Sequence, residues 1–600
     1  MGQLETMDNP ADSQIKGSES FCRGRANSAA FSVLLLVALC GALFLTGAST
    51  LPLTTPDEAR CGIIVRNMLK SGDWIVPRYE GEVYFDKPAP FFWLAAITQL
   101  LTGKEELAGR LVAALAATGA VLVAWALGKR MFGPLCGLLA GILLATMGEF
   151  LFMARWYRMD MPFVAGMWAA LWWFWRQEKP PEEKASGANW PQWIGFYAFC
   201  GVATLFKGPA GLVLPALVVA VYFLLSGAPR RVLEFFNPLG ILAYMLIAVP
   251  WYVLIMLRES NYVREFFFKQ NIGRFAGRAM GSHKLSAFVY IPTLLAGIIP
   301  WTFYLIGALA RYFPHRWKDR NRGPEALFLL CAAFVPFVFF SLSKTKLLGY
   351  ILVVIPPLAV LIGALLAQWV QRPEPDRSMR VLGWAMTVFL PLVAVVAIVG
   401  LGFYLRLLDL WAILALSAVI LICWRMIAEL RRDRRGAFLK WTLAGAVGIY
   451  LYLILHSFPV GHEMMSARSI GRLVNPALRE KAEFIYWKRR NISFEYYAGI
   501  REGERIDTGK PGALEQIASL MASDRPVYCY ISDSRRLHEM QKACAVRLYV
   551  LGKTSEGGFN GGRRYLIANR SAEQLAELTD GPPATRPAMI RTDSKTLDKK

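Results

Sequence analysis

Long apolar runs alternate with short polar connections from residue 29 to residue 458 of this 600-residue chain. Many of these runs approach or exceed the ~20 residues that cross ~30 Å of hydrocarbon. Only helices close every backbone hydrogen bond within such a run, so the pattern predicts an α-helical polytopic membrane protein. Spans fall near 29–49, 108–127, 134–153, 161–177, 193–206, 210–226, 238–257, 287–309, 325–342, 350–369, 380–402, 410–425 and 438–456. After Phe458 the apolar runs shorten to strand length, at 526–531, 546–551 and 564–568, with a helical pattern over 513–521. That change of period predicts a small C-terminal α/β domain. The resulting layout is a polar tail (1–28), a membrane domain (29–458) with a long loop at 50–107, an α/β domain (459–580) and a polar tail (581–600).

Composition agrees with the pattern. Hydrophobic residues make up 55% of the chain and aromatics 13%, and the mean hydropathy of +0.36 is far above that of a soluble protein. The first run follows a polar stretch and leads into further spans, which fits a signal anchor better than a removable signal peptide. The net charge of +23 raises nucleic acid as a partner, but its placement excludes it. Arg311, Arg316, Lys318, Arg320 and Arg322 share one short loop, and Arg425, Arg431, Arg432, Arg434 and Arg435 share another. Short loops loaded with Lys and Arg face the cytoplasm, with contact to anionic membrane lipids as a minor role. With thirteen spans the termini lie on opposite sides, so the N-terminus is expected in the cytoplasm and the α/β domain outside. The nine cysteines show no metal-binding spacing. Cys529 and Cys544 could pair in an oxidising compartment, which spacing alone leaves open.

Candidate chemistry concentrates on the outward side. The stretch Thr54 to Trp93 carries six carboxylates between apolar spans, including Asp57, Glu58 and Asp86, together with Arg60 and Lys87. Arg155, Arg158 and Asp160 close the third span. Further connections supply Lys207, then Asn271, Arg274, Arg278, His283 and Lys284, then Lys344, Lys346 and Tyr350. Ionisable groups at membrane depth are costly and usually face an internal cavity. Carboxylates can act as general bases, and clustered Arg and Lys can hold phosphate oxygens. Plainer readings stand beside these. Glu58 could be solvated or paired with an Arg, Arg155 and Arg158 could anchor the interface, and Lys207 could snorkel. Trp172, Trp173 and Trp175 read as an interfacial belt.

These residues carry a family resemblance. PDEAR, NMLKSGDW with its following Val-Pro, and YFDKPAPFFW resemble the first outer loop of the aminoarabinose transferases. Those are lipid A-modifying membrane glycosyltransferases of the GT-C type, related to protein O-mannosyltransferases. The similarity continues at RWYRMDMP, LFKGPAG, NIGRF with His283, and SLSKTKLLGYILVVIPPLA, over roughly residues 30–370. It implies an inverting transferase, monomeric, in a bacterial inner membrane. Such an enzyme takes a sugar from an undecaprenyl phosphate carrier and passes it to an outer-leaflet acceptor, lipid A above all. By position, Asp57 and Asp160 match catalytic aspartates, while Arg60, Lys87 and Tyr350 match groups near the carrier phosphate; Arg274 and Lys346 join them as phosphate candidates. The chain also departs from the pattern, with Asp86 where the family commonly has Glu, Cys61 for an aromatic, and Leu348-Gly349 for a proline-containing step. No cofactor is required, but Asp86 with His283 could ligate a divalent metal. Transfer to a protein or another glycan, a lipid-linked sugar transporter, and a non-catalytic envelope protein are the competing functions. The sequence names neither the sugar nor the acceptor.

Overall fold

The structure is a computed structural model. It describes residues 29–178, 190–273, 275–277, 286–313, 323–372, 374–487, 490–500, 504–506, 512–532, 534–554 and 563–578. The chain divides into two compact units: residues 1–50 with 64–459, and residues 51–63 with 460–600.

The first unit is helical, and each stretch expected to span is helical. Among the described residues, seven helices are long and apolar enough to cross a membrane, and two bent pairs raise that to as many as nine. Two expected spans are therefore broken, not straight. Residues 134–153 form Pro134–Ala145 and Gly148–Ala154, bent by 68°, and residues 287–309 belong to Tyr290–Gly297 and Thr302–Tyr312, bent by 113°. Each break carries a helix-weakening glycine, Gly148 or Gly297, and Pro300 withholds an N–H in the second. Ala29–Leu45, Pro90–Thr102 and Ala210–Leu225 are shorter apolar helices, and the second of these lies where the sequence suggests only loop.

Burial sorts the spans by position. The Leu348–Gln371 helix is 94% buried along its most apolar window, whereas Leu410–Arg431 is 11% buried and presents its apolar sides to lipid. Close approach among the inner helices depends on small residues, as expected where lipid is no less apolar than the packing partner. A Cβ on Gly137 would lie 2.6 Å from the Trp125 carbonyl oxygen, and one on Gly211 would lie 2.3 Å from the Thr204 nitrogen. Near the charged residues, β1 (Arg78–Tyr79) pairs antiparallel with β2 (Glu82–Val83). Glu80 and Gly81 turn the hairpin at φ 56° and 76°, the left-handed pair that such two-residue turns require.

The second unit contains a five-stranded mixed sheet in the order β4-β3-β5-β7-β6. Its strands are β3 (Glu483–Trp487), β4 (Glu504–Ile506), β5 (Val527–Ile531), β6 (Tyr549–Lys553) and β7 (Tyr565–Ala568). β5 runs parallel to β3 and antiparallel to β7. Alternate residues of β3 and β5 feed opposite cores: Phe484, Tyr486, Tyr528 and Tyr530 enter one, and Ile485, Trp487, Cys529 and Ile531 enter the other. Both faces are covered, so these strands read as continuous apolar runs, not alternating ones. Cys529 and Cys544 are free thiols rather than a disulfide, and burial pushes both up.

Residues 51–63 also belong to this unit, which corrects their expected place in the membrane domain. The backbone supplies the reason. Leu53 N donates to the Tyr497 hydroxyl at 2.8 Å, and the Ser493 hydroxyl donates to Leu53 O at 3.0 Å. The stretch is not a simple loop either, since Asp57–Ser71 is a helix.

Candidate active site

Within the membrane unit, charge converges on Asp160. This residue opens the helix Asp160–Gln177 and is only 5% exposed. Lys207 Nζ lies 2.6 Å from Oδ1, and Arg158 Nε lies 3.1 Å from Oδ2. Lys207 is the last residue of Trp190–Lys207. Gly208, at φ +72°, ends that helix in the left-handed conformation that glycine adopts without strain. The Lys207 ammonium also sits 4.9 Å from the Phe163 ring centroid and 5.2 Å from that of Tyr350. Lys207 is thus bound into the cluster and does not snorkel.

The hairpin side of the unit brings a third cation. Lys87 lies within electrostatic range of Asp160. Its Nζ is 3.5 Å from Asp86 Oδ1 and donates to Asp86 O at 3.0 Å. The Tyr84 hydroxyl donates to Asp86 Oδ2 at 3.3 Å. Lys346 is buried at 5% exposure and its ammonium donates to the Ser343 carbonyl. Tyr350 lies in the short helix Leu348–Val354, its ring 5.1 Å from Phe340. Lys207, Arg158 and Lys87 gather about Asp160 and Asp86. Such a site is suited to anionic oxygens.

Arg155 is engaged by the backbone. Its guanidinium is buried and donates to Leu43 O at 2.6 Å and Thr46 O at 2.7 Å, satisfying carbonyls that end the first helix.

Asp57, Glu58 and Arg60 fold with the second unit. Asp57 and Arg60 form a partly exposed ion pair at 4.0 Å, one helical turn apart. Glu58 is 1% exposed and accepts from Thr54 N at 3.0 Å and Thr54 Oγ1 at 2.9 Å. It is therefore a buried carboxylate that fixes the entry to its helix, not a solvated group. Arg274 and His283 lie outside the described residues, so the metal pair Asp86–His283 is placed only at Asp86, which is engaged by Tyr84 and Lys87. Among the described residues no three His, Cys, Asp or Glu side chains cluster as a metal site. The sequence reading passed over Glu149, a carboxylate inside an expected span. Its one signal was a lone charge in an apolar run.

Comparison with known proteins adds the family. Residues 86–256 match the family described as dolichyl-phosphate-mannose-protein mannosyltransferase. An undecaprenyl phosphate-alpha-4-amino-4-deoxy-L-arabinose arabinosyl transferase of Enterobacter sp. (strain 638) is 30% identical over 440 residues, 71% of this chain and 76% of the relative. The protein of the same name from Aeromonas salmonicida (strain A449) is 34% identical over 356 residues, 58% of this chain and 63% of the relative. The crystal structure of ArnT from Cupriavidus metallidurans bound to undecaprenyl phosphate matches with a TM-score of 0.70 at 22% identity, covering 90% of this chain and 98% of that one. Fold and helix-end charge cluster together define a multi-pass membrane protein of the GT-C class. This chain belongs to the undecaprenyl phosphate-alpha-4-amino-4-deoxy-L-arabinose arabinosyl transferase family. It spans 63% of the length of the Aeromonas salmonicida relative.

Proposed function

We propose that the protein is an inverting glycosyltransferase of a bacterial inner membrane. It would move a sugar from undecaprenyl phosphate to lipid A, working as a monomer with its N-terminus cytoplasmic and its α/β domain periplasmic. The observation that carries this reading is Asp160 held by Lys207 and Arg158 with Lys87 in range, in a chain of this family. The relatives' names supply the sugar, 4-amino-4-deoxy-L-arabinose.

In the step, the bond from the anomeric carbon to the carrier phosphate oxygen breaks. A bond from that carbon to the acceptor oxygen forms on the opposite face, which inverts the centre. The bonding pair leaves with the phosphate, whose oxygens gain negative charge. Cations already in place stabilise that charge without reorganising during the reaction. Lys87, Lys346 and Tyr350 take the phosphate role. Asp160 holds Lys207 and Arg158 in position. A hydroxyl acceptor gives its proton to a carboxylate base as the bond forms, whereas a lipid A phosphate is already anionic and needs none. An ammonium added to lipid A offsets its phosphate charge and so weakens binding of cationic polymyxins.

The test is the mass of lipid A after expression in a strain lacking such transferases. An added aminopentose is the expected result. Unmodified lipid A, with the protein present in the membrane, moves the acceptor to a protein or another glycan.

A further inference from the structure

Asp160 is surrounded by cations, but a second carboxylate of the membrane unit is not. Glu149 lies in the first turn of Gly148–Ala154, at the 68° break of its span. The other broken span meets it there. Gly148 N donates to Ile299 O at 3.1 Å, Trp301 Nε1 donates to Thr146 Oγ1 at 3.0 Å, and the Tyr450 hydroxyl donates to Ile299 O at 2.7 Å. Gly297 approaches so closely that a Cβ there would lie 2.5 Å from Glu149 Oε2. The two breaks are thus locked to each other. Interrupted backbone at membrane depth is tolerated where it is buried in protein or lines a cavity, and interrupted helices commonly build ligand sites.

Within this joint Glu149 Oε2 is buried and has no hydrogen-bond partner, and no cation pairs with the side chain among the described residues. Asp160 and Tyr290 are both within electrostatic range of it. A carboxylate so placed is costly unless something completes it. The comparison with Asp160 shows which ligand charge fits. Lys207 and Arg158 already neutralise Asp160, so an incoming ammonium would find its counter-charge spent there and unspent at Glu149.

We propose that Glu149 recognises the ammonium group of an aminosugar carried on the polyprenyl phosphate, and so selects the sugar that is transferred. This assignment rests on the glycosyltransferase reading above, and it leaves Asp160 to hold Lys207 and Arg158.

The test uses the full chain in lipid nanodiscs with two donors, undecaprenyl phosphate-linked 4-amino-4-deoxy-L-arabinose and its N-formyl derivative, which lacks the positive charge. The native protein should prefer the amino donor by about tenfold or more in kcat/KM, the scale expected when a buried charge loses its partner. Glu149→Gln should lower kcat/KM for the amino donor about 10–100-fold, chiefly through KM, and leave the N-formyl donor unchanged. Glu149→Asp should recover part of the preference. Undecaprenyl phosphate affinity, measured on each variant, checks that the fold persists. An unchanged preference in Glu149→Gln, or an equal loss with both donors, overturns the proposal. Transfer from neither donor by the native protein overturns the glycosyltransferase reading itself, a separate result.

Discussion

Asp160 meets Lys207 across 47 residues of sequence, with their side chains 7% and 13% exposed. Removing one partner of a buried pair costs about 3–5 kcal/mol, because the other charge stays behind without compensation. Lys207→Met should therefore lower the melting temperature in detergent and reduce sugar transfer about 10²–10³-fold. Lys207→Met combined with Asp160→Asn should regain melting temperature but not transfer. If transfer returns as well, the pair serves only the fold. Arg155 makes the opposite case, since its guanidinium donates to two main-chain carbonyls of the first helix. Arg155→Lys keeps the charge but loses the fork that reaches two carbonyls, so it should lower melting temperature and leave KM unchanged. Sequence alone marked Asp160, Lys207 and Arg155 as unusual. It could not separate them, because a charge beside an apolar span looks the same whether it faces a partner, a carbonyl or a phosphate.

Among the elements, helix geometry explains both what was legible and what was not. The thirteen expected spans are helical because their composition leaves the backbone no other way to satisfy itself in lipid. Their two breaks went unseen, since apolarity continues straight through Thr146–Gly148 and Gly297–Trp301 while the helical hydrogen bonds do not. The small residues that let helices touch give a direct test. Gly137→Val would push side-chain carbon into the Trp125 carbonyl, whereas Gly119→Val meets nothing within 4 Å. The first should reduce the yield of folded protein by gel filtration, and the second should leave it unchanged. At the start of Asp57–Ser71, Glu58 holds two donors of Thr54. Glu58→Leu leaves Thr54 N without its acceptor, and unsatisfied buried groups cost about 1–3 kcal/mol. Thermal melting should fall accordingly, and Glu58→Gln, which still offers an acceptor oxygen, should fall less.

For the whole molecule, the unexpected feature is the chain stretch shared between the units. Residues 51–63 are separated in sequence from residues 460–600 by residues 64–459 of the membrane unit, yet they pack as one body with them. Tyr497 and Ser493 take up both backbone groups of Leu53, and His462 Nδ1 lies 3.2 Å from Pro52 O. Residues 460–578 expressed alone should consequently melt at a lower temperature than the same fragment tethered to residues 51–63. Equal melting would show that the segment adds nothing to the fold of that unit. Hydropathy and period, which are local, were enough to establish a helical membrane protein followed by an α/β domain, and the ordered motifs pointed to its family. β4 escaped notice because it is only three residues long, and β3 did so although, like β5, it is apolar on both faces. Which charges neutralise one another, and which carboxylate is left over, could be decided only in three dimensions. An ion pair depends on a few ångströms between residues far apart in the chain, and a carboxyl group such as that of Glu149 has meaning only through what surrounds it.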